Sequence, residues 1–142
     1  MSKTKTNKRM RIAIIGSREY NNTRKIKNLL TDLRRKFGEE LTIISGGCKD
    51  GADKHIKKFS IEFGIAYKEY NPAHTPKNLY SAMSDHYYDK PYHVSQFHHR
   101  NNLIAKNCDY MIALIPDGAK ANGSESAIKS AQKLDKKVVI LS

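Results

Sequence analysis

Tryptophan is absent from this chain, and only two cysteines, four prolines and 14 acidic residues occur among its 142 residues. Cys48 and Cys108 share no metal-ligand spacing and build no disulfide framework, so both are expected as reduced thiols. No apolar run approaches the length that crosses a bilayer, which argues against a membrane-spanning helix. The basic N-terminus lacks the apolar segment of a secretory signal, and a cytoplasmic protein with no membrane partner is the expectation. Two nucleotide signatures are also missing. There is no Gly-x4-Gly-Lys-Ser/Thr loop, which argues against a P-loop NTPase, and no Gly-x-Gly-x-x-Gly follows the first apolar run.

The shortage of acids sets the charge. Against 26 Lys and Arg it leaves a net +12 at neutral pH. Lys3, Lys5, Lys8, Arg9 and Arg11 crowd the first segment without an acid. Such a balance favours polyanionic partners such as nucleic acid, nucleotides or phosphorylated ligands, or it serves solubility alone. The length fits one domain with a real core.

Residues 1–9 are polar, charged and aperiodic, and are expected to form a disordered basic tail. From residue 10 to 142, short apolar runs alternate with segments of helical period. Residues 10–15, 41–44, 65–70, 109–115 and 138–141 read as strands. The intervening segments read as helices: one capped by Asn21, Asn22 or Thr23 and running to about residue 37, then 50–63, 97–107 and 124–134; the first carries Ile26, Leu29, Leu30, Leu33 and Phe37 on one face and stops at Gly38. Residues 71–96 hold three of the four prolines and form an irregular insertion, with a short helix expected near 77–84. Six of the eight tyrosines fall in residues 67–92. They could stack on a base or form a lid, or pack on their own domain or a partner subunit.

Strands alternating with helices imply right-handed crossovers. The expected fold is α/β: one Rossmann-like, three-layer domain with a five-stranded, mainly parallel sheet in the order 3-2-1-4-5. In that order a ligand crevice lies outside the carboxyl ends of strands one and four, where the winding reverses.

Three strand-to-helix turns fall on that rim. Gly16-Ser17-Arg18 offers bare backbone, a hydroxyl and a guanidinium suited to phosphate, or is a plain turn with a solvated arginine. Ser45-Gly46-Gly47 followed by Gly51-Ala52-Asp53 places two adjacent glycines before a helix start; Asp53 either contacts a ribose hydroxyl or caps the helix. Gly123-Ser124-Glu125 opens the last helix as an anion seat, with Glu125 as a capping acid or a sugar ligand. Arg100-Asn101 either faces the crevice or is surface polarity. His93, His98 and His99 have no carboxylate at fixed spacing, so no metal site is expected. Cys48 sits within the glycine turn, and nothing marks it as a nucleophile. No catalytic residue is singled out, and no cofactor beyond a nucleotide-type ligand is expected.

Together these pieces resemble the SLOG superfamily of Rossmann-like nucleotide-binding domains, in its YspA/YpsA-related branch. The matching segments are Ile14–Arg18, Ser45–Asp53, Arg100–Ala105, Asp109–Ala113 and Gly123–Ile128. Their order is also similar to the Rossmann core of DNA-processing protein A, a single-stranded-DNA binder. The cytokinin-activating phosphoribohydrolases of the same superfamily carry Pro-Gly-Gly-x-Gly-Thr-x-x-Glu. Here the stretch is Ala121-Asn122-Gly123-Ser124-Glu125-Ser126-Ala127, with alanine where their glutamate falls.

The resemblance implies binding of a nucleotide or a nucleotide-derived signal, ADP-ribose-like or cyclic, by a sensor or sequestering protein. Arg18 and Arg100 would be its counter-charges. Single-stranded nucleic acid is the alternative ligand. N-glycosidic hydrolysis or transfer is the third reading, weakened by the displaced glutamate. A homodimer is the oligomeric state the resemblance implies.

Overall fold

A computed structural model of the chain describes residues 9–91, 93–118 and 122–142. Five strands, β1 (Met10–Gly16), β2 (Leu41–Ser45), β3 (Ala66–Glu69), β4 (Tyr110–Leu114) and β5 (Lys137–Leu141), form one sheet in the order β3-β2-β1-β4-β5. Every neighbouring pair is parallel, with Ile12 beside Ile43 on one flank and beside Tyr110 on the other. The expected order is the observed one.

Four helices cover the sheet: α1 (Thr23–Phe37), α2 (Ala52–Glu62), α3 (Val94–Lys106) and α4 (Asn122–Lys133). Strand side chains alternate between faces, so Ile12 and Ile14 join Ile26, Leu30 and Ile56 in the core under α1 and α2. Ala13 and Ile15 join Ile104, Ala105, Ala127 and Ile128 under α3 and α4. Small residues at 13, 105, 113, 127 and 131 keep the second layer thin.

Local chemistry sets the helix ends. The Asn22 side chain accepts from Lys25 N–H at 3.1 Å and starts α1. Arg34, Arg35 and Lys36 in its last turn complement the dipole, and Gly38 at φ +58° ends it.

The structure departs from expectation in three places. Helix α3 begins at Val94 rather than 97, because the His93 ring accepts from Ser95 N–H at 3.1 Å and caps it. No helix forms at 77–84; Asn78 Oδ1 takes Tyr80 N–H at 2.8 Å, and Ser81 pairs with Glu69 as an isolated bridge. A short 3-10 turn occupies Asp85–Tyr87 instead. Residues 1–8 of the expected tail lie outside the described residues. Arg9 is held, its guanidinium donating to Thr42 Oγ1 at 2.7 Å.

The two sheet edges differ. On the β3 side the insertion closes the ladder, with Glu69 N–H to Tyr80 O at 2.9 Å and Ala82 N–H to Glu69 O at 2.8 Å. On the other side β5 is the edge strand, and among the described residues no strand pairs beyond it; Val139 is 40% and Ile140 58% exposed.

Candidate functional site

Parallel strands put the carboxyl ends of β1, β2 and β4 on one rim. The turn after β1 leans on β4, since Ser17 N–H donates to Leu114 O at 3.3 Å. The first amide of α2 reaches the same turn, Ala52 N–H to Ser17 O at 3.4 Å. Gly51 makes that approach feasible. Its φ is +69°, and a Cβ there would collide with the Arg18 backbone. Gly16 is bare for a similar reason, because a Cβ would stand 2.7 Å from that of Ala52.

The turn after β2 is tied into the same assembly. Asp53, on the first turn of α2, accepts from Cys48 N–H at 3.0 Å. Ser45 Oγ accepts from Gly47 N–H at 3.2 Å. Arg100 Nη1, from α3, donates to Gly46 O at 2.6 Å. The amides of Gly47 and Cys48 are thus spent inside the protein, and these glycines make room for protein neighbours. A Cβ at Gly46 would lie 3.1 Å from both Arg100 Nη1 and Asp53 Oδ2; one at Gly47 would lie 2.8 Å from Asn71 Cβ. Asp53 bonds the turn ahead of α2 rather than an amide of the helix, whose N-cap Gly51 has no side-chain cap.

Burial pushes the Asp53 carboxyl above its usual range, partly offset by Cys48, Arg100 and Ser45. Burial also raises the Cys48 thiol, with Asp53 adding to the effect. A thiol held protonated is a poor nucleophile, so Cys48 lines the turn without activation.

The structure therefore joins Gly16, Ser17, Arg18, Ser45, Gly46, Gly47, Gly51, Asp53 and Arg100 through contacts in one assembly. Arg18 is exposed on it. Ser17 Oγ accepts from Glu19 N–H at 3.0 Å. Arg100 is 6% exposed and works as a brace on the β2 turn, with its guanidinium 5.2 Å from the Phe97 ring centre. Its Nε and the Nδ2 of Asn101, itself 3% exposed, have no hydrogen-bond partner. Both residues are inward-facing, not surface polarity.

The remaining turn is Gly123-Ser124-Glu125. Ser124 is buried at the start of α4. Glu125 is exposed and pairs with Lys129 at 3.6 Å, so it faces solvent and its own helix. Gly123 is in the first turn of α4, and the loop residues 119–121 lie outside the described residues. Among the described residues no cluster of His, Cys, Asp or Glu forms a metal site.

Two supporting residues carried no motif. Glu69, 2% exposed, accepts from Tyr67 O–H at 2.8 Å and Asn78 Nδ2 at 2.6 Å, and pairs with Lys57 at 3.3 Å. Asn71 ties the insertion down through Thr75, Pro76, Ser81 and Tyr88. An acid inside the apolar run 65–70 was the available signal for Glu69. The tyrosines pack on their own domain: Tyr67, Tyr70 and Tyr88 are buried, and Tyr80 meets Tyr67 edge-on at 5.6 Å. Tyr92 lies outside the described residues.

Residues 10–75 match the model of the YspA, cpYpsA-related SLOG family. That SLOG match bears out the resemblance seen in Ile14–Arg18 and Ser45–Asp53; the segments from Arg100 onward lie beyond the matched stretch. The solved structure of the molybdenum cofactor binding protein from the phototrophic bacterium Rippkaea orientalis is similar, with a TM-score of 0.68 and 18% identity. The alignment covers 94% of this chain and 76% of that one. At that identity the likeness is one of fold. No curated protein matches the chain.

Proposed function

We propose that the protein binds a nucleotide or nucleotide-derived small molecule at the carboxyl rim of its sheet, as a binding module without turnover. The observation that carries this reading is the tying of three separate chain segments into one rim: Ala52 N–H to Ser17 O, Cys48 N–H to Asp53, and Arg100 to Gly46 O. Arg18 is the exposed cation on that assembly. The site belongs where an open parallel sheet receives ligands. The SLOG match over residues 10–75 supports the same class of ligand, and a neighbour of the same fold is named for binding a cofactor.

Because the amides of Gly47 and Cys48 already donate within the protein, ligand phosphate is assigned to the Arg18 side chain and the β1 turn. Arg100 holds the β2 turn in place beneath it. Asp53 serves the same scaffold, and Asn101 supplies a buried, unpaired donor. Ser124 and Glu125 are proposed as the β4-side boundary of the rim.

Isothermal titration with AMP, ADP-ribose and cyclic dinucleotides tests this reading, with Arg18→Ala as the control. Binding by the wild type and at least tenfold weakening in the variant are expected. A full panel without heat or thermal shift would end the proposal. Native mass spectrometry of the purified protein reads a retained ligand mass and the proposed homodimer together. Retention of oligonucleotides in preference to the small molecules would move the reading to single-stranded nucleic acid, which the +12 charge supports.

A further inference from the structure

The rim lies at one end of the sheet, and the outer surface of α1 and α2 is a separate feature. The two helices pack side by side over one face of the sheet and carry nine Lys and Arg between them. Two of the nine are engaged on the outer sides of the pair. Lys25 donates to Ser142 O beyond β5, and Lys57 pairs with Glu69 of β3 at 3.3 Å. Arg35 meets Asp32 at 3.4 Å, and Lys36 stands over the Phe37 ring. Arg24, Lys27, Arg34, Lys54 and Lys58 remain. All five are exposed, and among the described residues no carboxylate pairs with any of them.

The charge is one-sided. Asp32 and Glu62 are the exposed acids of α1 and α2. On the opposite face α3 and α4 expose Lys106, Lys129 and Lys133, and Lys129 is already paired with Glu125. His55 registers the positive field: burial lowers its pKa, and the neighbouring Lys54 and Lys58 lower it further. The face also lacks exposed rings. Phe37, Phe59 and Phe63 pack against the core, and Lys58 Nζ stands 5.5 Å from the centre of the Phe59 ring. Single-stranded nucleic acid is held largely by stacking its bases on aromatic side chains, and this surface gives them nothing to stack on. Ile61, 42% exposed, is its exposed large apolar side chain, too little to enter a bilayer.

We propose that the α1–α2 face holds the phosphate backbone of a nucleic-acid duplex without reading its sequence. Phosphate contacts need charge at the right spacing rather than a pocket. Arg24 and Arg34 are separated by about 15 Å of helix rise, a length in which a duplex presents about nine phosphates. Lys54 and Lys58 make a second row about 8–10 Å to the side, the distance between packed helix axes. The inference does not rest on the small-molecule rim, whose exposed cation is Arg18.

Fluorescence anisotropy of the full chain with two short DNA duplexes of unrelated sequence tests it, across about 50 to 200 mM salt. Both duplexes should bind alike, and five phosphate contacts should give a slope of log K on log salt of about −4 to −5. Arg34→Gln with Lys58→Gln should weaken binding about tenfold or more and flatten the slope by about 2. Arg34→Lys with Lys58→Arg keeps the charges and should bind as wild type does. Lys106→Gln with Lys133→Gln removes the same charge from the opposite face and should change the affinity less than about twofold. Both glutamine pairs alter exposed positions and should melt within a few degrees of wild type.

Equal weakening by the two glutamine pairs would overturn the proposal, because net charge and not this face would then govern binding. A slope no steeper than about −1 would overturn it too, since it counts a single phosphate contact. So would tighter binding of a single strand of the same length, or of phosphatidylserine vesicles, than of the duplex.

Discussion

Two glycines of similar positive φ carry different burdens. Gly51 and Gly64 have φ of +69° and +71°, yet a Cβ at Gly64 would meet nothing within 4 Å, while one at Gly51 would strike the Arg18 backbone. Gly64→Ala should therefore cost about 1 kcal/mol, the strain of the left-handed region alone. Gly51→Ala should cost a further 1–3 kcal/mol or so, because its ψ of −144° lies outside the left-handed helical region and the Arg18 main chain must be displaced. Urea unfolding of the two variants measures the difference directly. Equal losses would mean that neither the backbone of Gly51 nor its approach to the β1 turn constrains the position. The consequence reaches the rim, since Gly51→Ala should also displace the exposed guanidinium of Arg18.

Asp109 shows the same economy with charge. It accepts from Arg11 N–H at 2.8 Å and faces the Arg11 guanidinium at 3.3 Å, locking β1 to β4 at the amino end of the sheet. Burial pulls its pKa up, but the Arg11 amide and guanidinium outweigh that and hold it below the usual carboxylate range. A depressed native value means that the unfolded chain binds the proton more readily. The contribution is therefore present above the unfolded value of about 3.9 and is lost as pH falls through the native one. Asp109→Asn should cost about 1 kcal/mol at neutral pH, a modest figure because the pair is partly exposed. The gap from wild type should close as pH drops below about 4. Thermal melts across that range check the sign.

At the scale of elements, the strands and helices were legible because their signals are local. Ile12 to Ile15 and Leu41 to Ile44 are unbroken apolar runs, and Gly38 and Gly64 punctuate the helices behind them. The rim glycines were legible as turns, but not as packing sites. Arg100 reaches Gly46 across 54 positions, and no spacing rule encodes that bond. The insertion was illegible for the same reason. Asn71 replaces regular structure there, making four side-chain bonds to Thr75, Pro76, Ser81 and Tyr88. Asn71→Ala should cost about 2–3 kcal/mol, since it strips partners from the buried Tyr88 hydroxyl as well as from itself. Limited proteolysis should then cut within residues 74–90 well before the sheet is attacked. Resistance equal to wild type would show that the insertion is held elsewhere.

At the scale of the whole molecule, a net +12 keeps copies apart while one sheet edge invites contact. Val139 and Ile140 are the exposed apolar groups on β5, and only Lys137 places a charge on that strand. Ile140→Lys should leave the unfolding free energy within about 0.5 kcal/mol, as expected of an exposed position. It should also lower light scattering in concentrated, high-salt solution, where screening removes the charge repulsion. A loss of several kcal/mol instead would mean that β5 is held by contacts at Ile140.

The unequal edges also limit how the sheet can grow. Linear stacking of strands from molecule to molecule needs an acceptor on each side, and the insertion has closed one of them with Tyr80 and Ala82. Joining through β5 uses up the free side of both participants at once. Such joining terminates at two molecules instead of propagating into a fibre.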